Sequence, residues 1–375
     1  MVGNRPFTDQ HIQISARDDG TLTGMRHDVI STTSTFEDWN ETSAIVTRML
    51  YAVPNQATTH KLVKLDVGMP TFMRAPGETS GSFALESVMD EMAYQLNMDP
   101  LAFRLKNYAE MEPQEKKPWS ENSLRECYQI GADKFGWSRR NPKPRSMRDG
   151  NMLIGLGMAT ATYPANRSEA SAIARILPDG TAMATSDTQD LGTGTYTVMT
   201  QVAADALGFP VDKVDFVLGD SSLPYAPVSG GSPTVREAAS QARTKLIAMA
   251  IADPGSPLSG GSIDDATVNN GWVISRADPS KRDPAAAVIA CNGGKPIEAM
   301  ATTRPGDEKQ QFAFHSFGAA FTEVHVDADL GTIRVPRIVA VYNGGSLLNE
   351  KTTHSQLMGG LVWSVGSALT REERT

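Results

Sequence analysis

The chain is 375 residues long, 40% hydrophobic and 21% charged, with a formal net charge of −8. That length is enough for two or three cores, and the acidic balance argues against nucleic acid, whose phosphates want clustered Lys and Arg. No apolar run approaches the roughly 20 residues that cross a bilayer, and no charged-then-apolar leader is present, so the expected partner is a small molecule or a protein, with no membrane insertion, in the cytoplasm or periplasm.

The first element in chain order is a hairpin over residues 14–32 that turns at Asp18-Asp19-Gly20, where glycine permits the backbone a tight turn needs. A helix follows over 83–96, with apolar residues at helical spacing. The run Glu112-Pro113-Gln114-Glu115-Lys116-Lys117-Pro118 and the basic stretch 139–150 break that pattern. Residues 107–150 therefore read as a connector with one helix over 123–135. A second hairpin over 172–186 turns at Pro178-Asp179-Gly180 and leads to helices over 198–207 and 238–251. Residues 253–270, rich in Gly, Ser, Pro and Asp, read as a surface excursion. A hairpin over 317–342, turning at Asp329-Leu330-Gly331, and a helix over 357–369 complete the series. Hairpins outnumber parallel crossovers, which makes the fold class α+β. The recurring order of hairpin, loop and helix points to a duplicated building unit.

Side-chain chemistry is sparse. Cys127 and Cys291 stand far apart and outside any C-x-x-C spacing, so neither an iron–sulfur cluster nor a cysteine zinc site is readable, and both are expected as buried thiols. The six histidines are scattered, with no H-E-x-x-H pair, so no metal held by side chains is expected. There is no G-x-S-x-G elbow and no S-x-x-K nucleophile. Redox or transfer chemistry would need a borrowed cofactor.

Four Gly/Ser/Thr-rich loops each lead into a helix: residues 68–78, the run Asp190-Leu191-Gly192-Thr193-Gly194-Thr195, the run Ser229-Gly230-Gly231-Ser232, and Lys351-Thr352-Thr353-His354-Ser355-Gln356. A helix start offers unpaired N–H groups and a favourable dipole for anions, and glycine lets backbone approach a ligand. Capping and turn geometry alone would explain any one of them. Together they suit an extended, multiply anionic ligand such as a pterin dinucleotide. Gly192-Thr193-Gly194 lacks the third glycine and the ribose-binding acid of the nicotinamide dinucleotide fingerprint.

The order and wording of these loops resemble the molybdenum-cofactor-binding large subunit of the xanthine dehydrogenase and aldehyde oxidase family, in its bacterial three-subunit aldehyde dehydrogenase form. The residues that carry the resemblance are Met73-Arg74-Ala75-Pro76-Gly77-Glu78, Met89-Asp90-Glu91-Met92-Ala93, Asp99-Pro100-Leu101-Ala102-Phe103-Arg104, the 190–197 run, Ser229-Gly230-Gly231-Ser232, and Ser355-Gln356-Leu357-Met358-Gly359-Gly360. The resemblance implies two molybdopterin-binding α/β sandwich subdomains of hairpin-rich mixed sheets and packed helices. Residues 1–108 are expected to be the C-terminal part of the first, 109–150 a connector, and 151–375 the second, incomplete at its end.

By the same resemblance the cofactor is a molybdenum–molybdopterin cytosine dinucleotide, and electrons leave through an Fe–S small subunit and an FAD medium subunit. Arg74 is implied to lie near the metal centre and to orient it or the substrate. Gly192, Thr193, Gly194, Gly230, Gly231 and Ser232 are implied to line the cofactor, with Gln356, Thr353 and Ser355 as its hydrogen-bonding partners. Tyr163 is implied as an aromatic wall of the substrate pocket, with core packing the other reading of that residue. The family's general-base glutamate sits in a Gly-x-Gly-Glu loop that has no counterpart here, so the isolated chain is expected to be an inactive fragment, cut at both ends. A purine-orienting arginine finds no match near Thr42, which favours an aldehyde. A non-catalytic remnant or assembly module with the same fold is the competing expectation.

Overall fold

An aspartate directly or shortly before a glycine makes the turn of each hairpin. Gly20 and Gly180 take φ of 86° and 83°, and Asp19 and Asp179 each accept the N–H of the threonine two residues on, at 3.0 and 2.9 Å. In the third hairpin Asp327 accepts the N–H groups of Asp329 and Leu330 ahead of Gly331. These side chains pre-form turns that the flanking strands then extend.

The computed structural model describes residues 4–227 and 231–370. In chain order its elements are β1 (Thr8–Ala16), β2 (Leu22–Ser34), β3 (Gln56–Leu65), α1 (Glu78–Gln95), α2 (Pro100–Lys106), α3 (Leu124–Phe135), β4 (Arg148–Asp149), β5 (Met152–Pro164), β6 (Ala170–Ile176) and β7 (Ala182–Thr185). There follow α4 (Thr195–Leu207), β8 (Val214–Val217), α5 (Gly231–Ala252), β9 (Ala266–Asn269), β10 (Trp272–Ser275), β11 (Arg282–Pro284), α6 (Ala285–Cys291) and β12 (Ile297–Thr303). The last are α7 (Glu308–Gln311), β13 (His315–Asp327), β14 (Ile333–Asn343) and α8 (Glu350–Thr370). Mixed sheets and packed helices make this the α+β arrangement that the hairpins announced.

The chain forms two units. The first comprises Met1–Ala165, Glu308–Gly345 and Gly360–Thr375; the second comprises Asn166–Asp307 and Ser346–Gly359. In the first, β1, β2 and β3 form one sheet and β14, β13, β5 and β4 another. Leu22, Met25, Leu85, Met89 and Phe103 join the three-stranded sheet to α1 and α2. Trp119, Tyr128, Phe135 and Trp137 pack on Phe317 and Phe321 of β13, so residues 109–150, expected as a connector, supply core to the first unit. In the second unit the sheet β12-β6-β7-β8 is covered by α4, α5 and α6 through an alanine-rich core.

The two units repeat one topology. β1 pairs antiparallel with β2, which pairs parallel with β3; β6 pairs antiparallel with β7, which pairs parallel with β8. In each case a helix packs on the first strand after the third strand ends, α1 on β1 and α5 on β6. The run expected at Ser229 and Gly230, ahead of α5, lies outside the described residues.

Several boundaries differ from the sequence expectation. α1 begins at Glu78 rather than 83, and α8 at Glu350 rather than 357, so residues 351–356 form the first turns of a helix and not a loop. Strand β3 was not foreseen. Cys127 is buried as expected, but Cys291 is exposed at the end of α6, where the short helix turns out to solvent. In the 253–270 excursion Ser256 and Leu258 are buried, so that stretch packs as well as connects.

Candidate functional site

In the second unit two glycines turn the chain ahead of α4. Gly192 and Gly194 adopt φ of 85° and 80°, a region that residues with a side chain seldom enter. Asp190 holds the turn by accepting their N–H groups at 2.8 and 3.3 Å. No side chain caps α4, so the N–H groups of Thr195, Tyr196 and Thr197 have no intrahelical partner. The Thr193 and Thr195 hydroxyls stand beside them, 3.0 Å apart.

The start of α8 closes on this turn. Gln356 donates through Nε2 to the Gly192 carbonyl. Asn349 caps α8 by accepting the Thr352 N–H at 2.9 Å, and through Nδ2 donates to Gln201 on α4 at 2.9 Å. A side chain at Gly194 would put Cβ 3.0 Å from the Thr352 methyl, and one at Gly231 would put it 3.3 Å from Met199 on α4. Gly192, Thr193, Gly194, Gly231 and Gln356 are therefore gathered in one place. Ser232 lies half-buried in the first turn of α5, while Gly230 lies outside the described residues. Thr353 spends both its N–H and its hydroxyl on the Asn349 carbonyl, at 3.1 and 2.8 Å, which leaves neither as a donor to a ligand. Ser355 is exposed on the following turn.

This cradle fits the cofactor chemistry expected of it. Uncapped N–H groups at a helix start suit phosphate oxygens, and threonine hydroxyls and a glutamine amide suit the donor and acceptor edge of a pterin. Among the described residues no group of three His, Cys, Asp or Glu side chains could hold a metal ion.

In the first unit the turn between β3 and α1 carries Arg74. Ala75 has a positive φ of 52° and Gly77 one of 93°, and strain of this kind collects at functional turns. Arg5 donates through Nη2 to the carbonyls of Met73 and Arg74, at 2.7 and 3.0 Å, and through Nη1 pairs with Glu41. Glu41 Oε1 also accepts the Gly77 N–H at 3.3 Å and the Ser80 hydroxyl at 3.1 Å. Arg74 itself is exposed, with Nη1 3.8 Å from where a Cβ on Gly360 would sit.

Two further groups share this part of the first unit. Glu78 is buried at the start of α1, and its Oε2 has no hydrogen-bond partner among the described residues. Burial, and then the Glu41 carboxylate, raise its pKa. Tyr163, half exposed on β5 opposite Ser316, has its phenol pKa raised by burial and then by the charge of Glu78, which places the two within electrostatic reach. Asp190, Asn349, Glu41 and Glu78 were not among the site residues expected. An Asx residue two before a glycine marks Asp190, and an Asn ahead of a helix marks Asn349 as a cap; nothing in the local sequence marks Glu41.

Comparison with known proteins matches residues 1–108 and 131–374 to molybdopterin cofactor-binding domains. The chain is 33% identical to the aldehyde oxidoreductase molybdenum-binding subunit PaoC of Escherichia coli O157:H7, over 98% of this chain and 49% of that protein. It is 27% identical to the putative xanthine dehydrogenase molybdenum-binding subunit XdhA of Escherichia coli K12, over 96% of this chain and 50% of that one. The fold matches quinoline 2-oxidoreductase from Pseudomonas putida 86 with a TM-score of 0.80 at 21% identity, covering 96% of this chain and 50% of the other. The chain thus spans about half the length of the relatives it matches. The matched domains place the chain in a class of cofactor-binding proteins. The chain belongs to the molybdopterin-binding large-subunit family of the xanthine dehydrogenases and aldehyde oxidoreductases. That is a family of molybdenum oxidoreductases. No helix among the described residues is long and apolar enough to cross a membrane.

Proposed function

We propose that this chain is part of the molybdenum-binding subunit of a hydroxylase that oxidises aldehydes. The observation that carries the reading is the closure of Gln356 onto Gly192 at the uncapped start of α4. Molybdenum held by a pterin dithiolene supplies two-electron redox chemistry through which a water-derived oxygen is added at a carbonyl or heteroaromatic carbon. The N–H groups of Thr195, Tyr196 and Thr197 bind phosphate oxygens of the cofactor, which we take as the cytosine dinucleotide. Gly192, Gly194 and Gly231 let the backbone approach it, and Thr193, Ser232 and Gln356 hydrogen-bond to it. Arg74 orients the substrate with a planar, permanently charged fork, and Tyr163 forms a wall of its pocket. The general base is neither Glu41 nor Glu86, whose carboxylates are committed to Arg5 and Arg104. Electrons pass on to Fe–S and FAD subunits. An aldehyde is favoured over a purine because the aldehyde relative shares more identity, 33% against 27%.

The test adds equimolar molybdenum cofactor to the purified chain and measures the metal that survives gel filtration. Retention near one molybdenum per chain is expected, with cofactor affinity about fivefold weaker in Gln356→Ala, since a lost hydrogen bond to a bound ligand costs on the order of 1 kcal/mol. A folded chain that keeps no molybdenum would defeat the reading in favour of a non-catalytic module.

A further inference from the structure

The least expected arrangement in the first unit is the grip on the Arg74 turn. Its backbone is held where it would not rest by itself: Ala75 lies at φ 52° with a side chain that disfavours that region, and Gly77 at φ 93° faces Thr42, whose carbonyl would lie 2.8 Å from any Cβ there. Such a conformation persists only when its surroundings over-determine it. Here they do so through one side-chain pair reaching in from distant sequence. Arg5 bridges the carbonyls of Met73 and Arg74, on either side of the Arg74 Cα, and Glu41, completely buried, collects Arg5, the Gly77 N–H and the Ser80 hydroxyl on a single oxygen. The Thr79 hydroxyl donates to the same Arg74 carbonyl at 3.0 Å. Arg5 also lies over the Trp363 ring, 5.5 Å from its centre, so its own direction is fixed.

We infer that Arg5 and Glu41 are positioning residues that hold the strained turn and thereby aim the Arg74 guanidinium. This rests on the reading of Arg74 as the substrate-orienting group. Neither residue touches the reacting atoms; both act through the backbone that carries Arg74. A lysine at position 5 keeps the charge but, as a point donor, cannot span two carbonyls and a carboxylate in one plane. A glutamine at position 41 keeps an acceptor for Gly77 and Ser80 and gives up the ion pair.

Two measurements on Arg5→Lys, Glu41→Gln and Glu41→Ala test the inference. Hydrogen exchange on the chain reads the turn without turnover. The Gly77 and neighbouring amides are expected to exchange about tenfold faster in Glu41→Ala and less so in Glu41→Gln, with amides of α2 unchanged. In an active holoenzyme in which this chain is joined by the family's general-base loop, kcat/KM is expected to fall roughly tenfold in Arg5→Lys, because a small misplacement of an orienting group costs that much or more. In an Arg74→Ala background the same substitution is expected to have no further effect, the non-additivity of residues that act as a unit. Unchanged exchange would overturn the grip itself. Faster exchange with additive losses of kcat/KM would show that the pair does not act through Arg74 and would overturn the aiming. Normal turnover in Arg74→Ala alone would overturn the reading of Arg74, and with it the aiming, while the exchange result would still stand on its own.

Discussion

Arg104 is completely buried, and a buried guanidinium is tolerable only when its donors are matched. Its Nε donates to Glu86 at 2.9 Å, Nη1 to Asp90 at 2.7 Å and Nη2 to the Glu86 carbonyl at 3.1 Å. Glu86 in turn accepts the Tyr51 hydroxyl at 2.6 Å and the Thr160 N–H at 2.7 Å. Burial, and then the Glu86 charge, push the Tyr51 phenol well above its usual pKa, which keeps it a neutral donor. This network ties α1 and α2 to β5, three residues before Tyr163. Removing one member strands the other charge, a loss of about 3–5 kcal/mol. Urea unfolding of Glu86→Ala should show that loss, while Glu86→Gln, which keeps an acceptor for Thr160, should lose about half as much or less. Equal losses in the two variants would mean that the charge of Glu86 contributes nothing.

Among helices, glycine normally weakens, so replacing it with alanine stabilises an exposed helix by about 0.8–1 kcal/mol. Gly81 in α1 is an exception with a geometric cause: a Cβ there would lie 1.8 Å from the Ser43 carbonyl oxygen, which is backbone and cannot swing aside. Gly81→Ala should therefore destabilise, by about 1–3 kcal/mol as overpacking does. Gly366 in α8, with nothing within 4 Å of its Cβ position, should gain instead. Thermal melts of the two variants moving in the same direction would refute the argument. The same element shows why some boundaries were hidden from the sequence. The first turns of α1 and α8, Glu78-Thr79-Ser80-Gly81-Ser82 and Glu350-Lys351-Thr352-Thr353-His354-Ser355, hold no large apolar residue, so a search for apolar periodicity enters each helix late. Asn349, the cap, was the readable signal. Strand β3 lies mostly exposed, and its outer half shows no alternation of burial, so the two-residue rhythm that betrays a strand is missing. The Asp-Gly hairpins were legible because their turns are made by adjacent residues.

For the molecule as a whole, the recurrence of hairpin, loop and helix was visible because each of the two copies begins with the same turn chemistry, whereas the parallel third strands, β3 and β8, were not. The glycine-rich half of the candidate site was visible for a similar reason. The partners of the Arg74 turn were not, because Arg5 and Glu41 meet it across 69 and 36 positions of sequence and no local pattern encodes such a meeting. A comparable long-range burial governs the response of the fold to acid. His27 is fully buried, with Nδ1 2.8 Å from the Thr47 hydroxyl and Nε2 3.1 Å from Gln10 Oε1, contacts that one neutral tautomer satisfies together. Burial lowers its pKa to about 4 from 6.5. Below pH 6.5 the unfolded chain takes up a proton that the folded chain refuses. Stability from this group is therefore complete above pH 6.5 and is lost as pH falls to about 4, about 3 kcal/mol in all. Burial shifts His60 and His315 in the same direction, steepening the slope over the upper part of that window. Asp19, held at about 2 by the Thr21 N–H, adds its loss only below pH 3.8. Urea unfolding between pH 7.5 and 4.5 should show stability falling with acid. His27→Gln, which cannot titrate, should flatten the curve by one proton's worth of slope; an unchanged slope in that variant would mean that the ring is already charged in the folded chain.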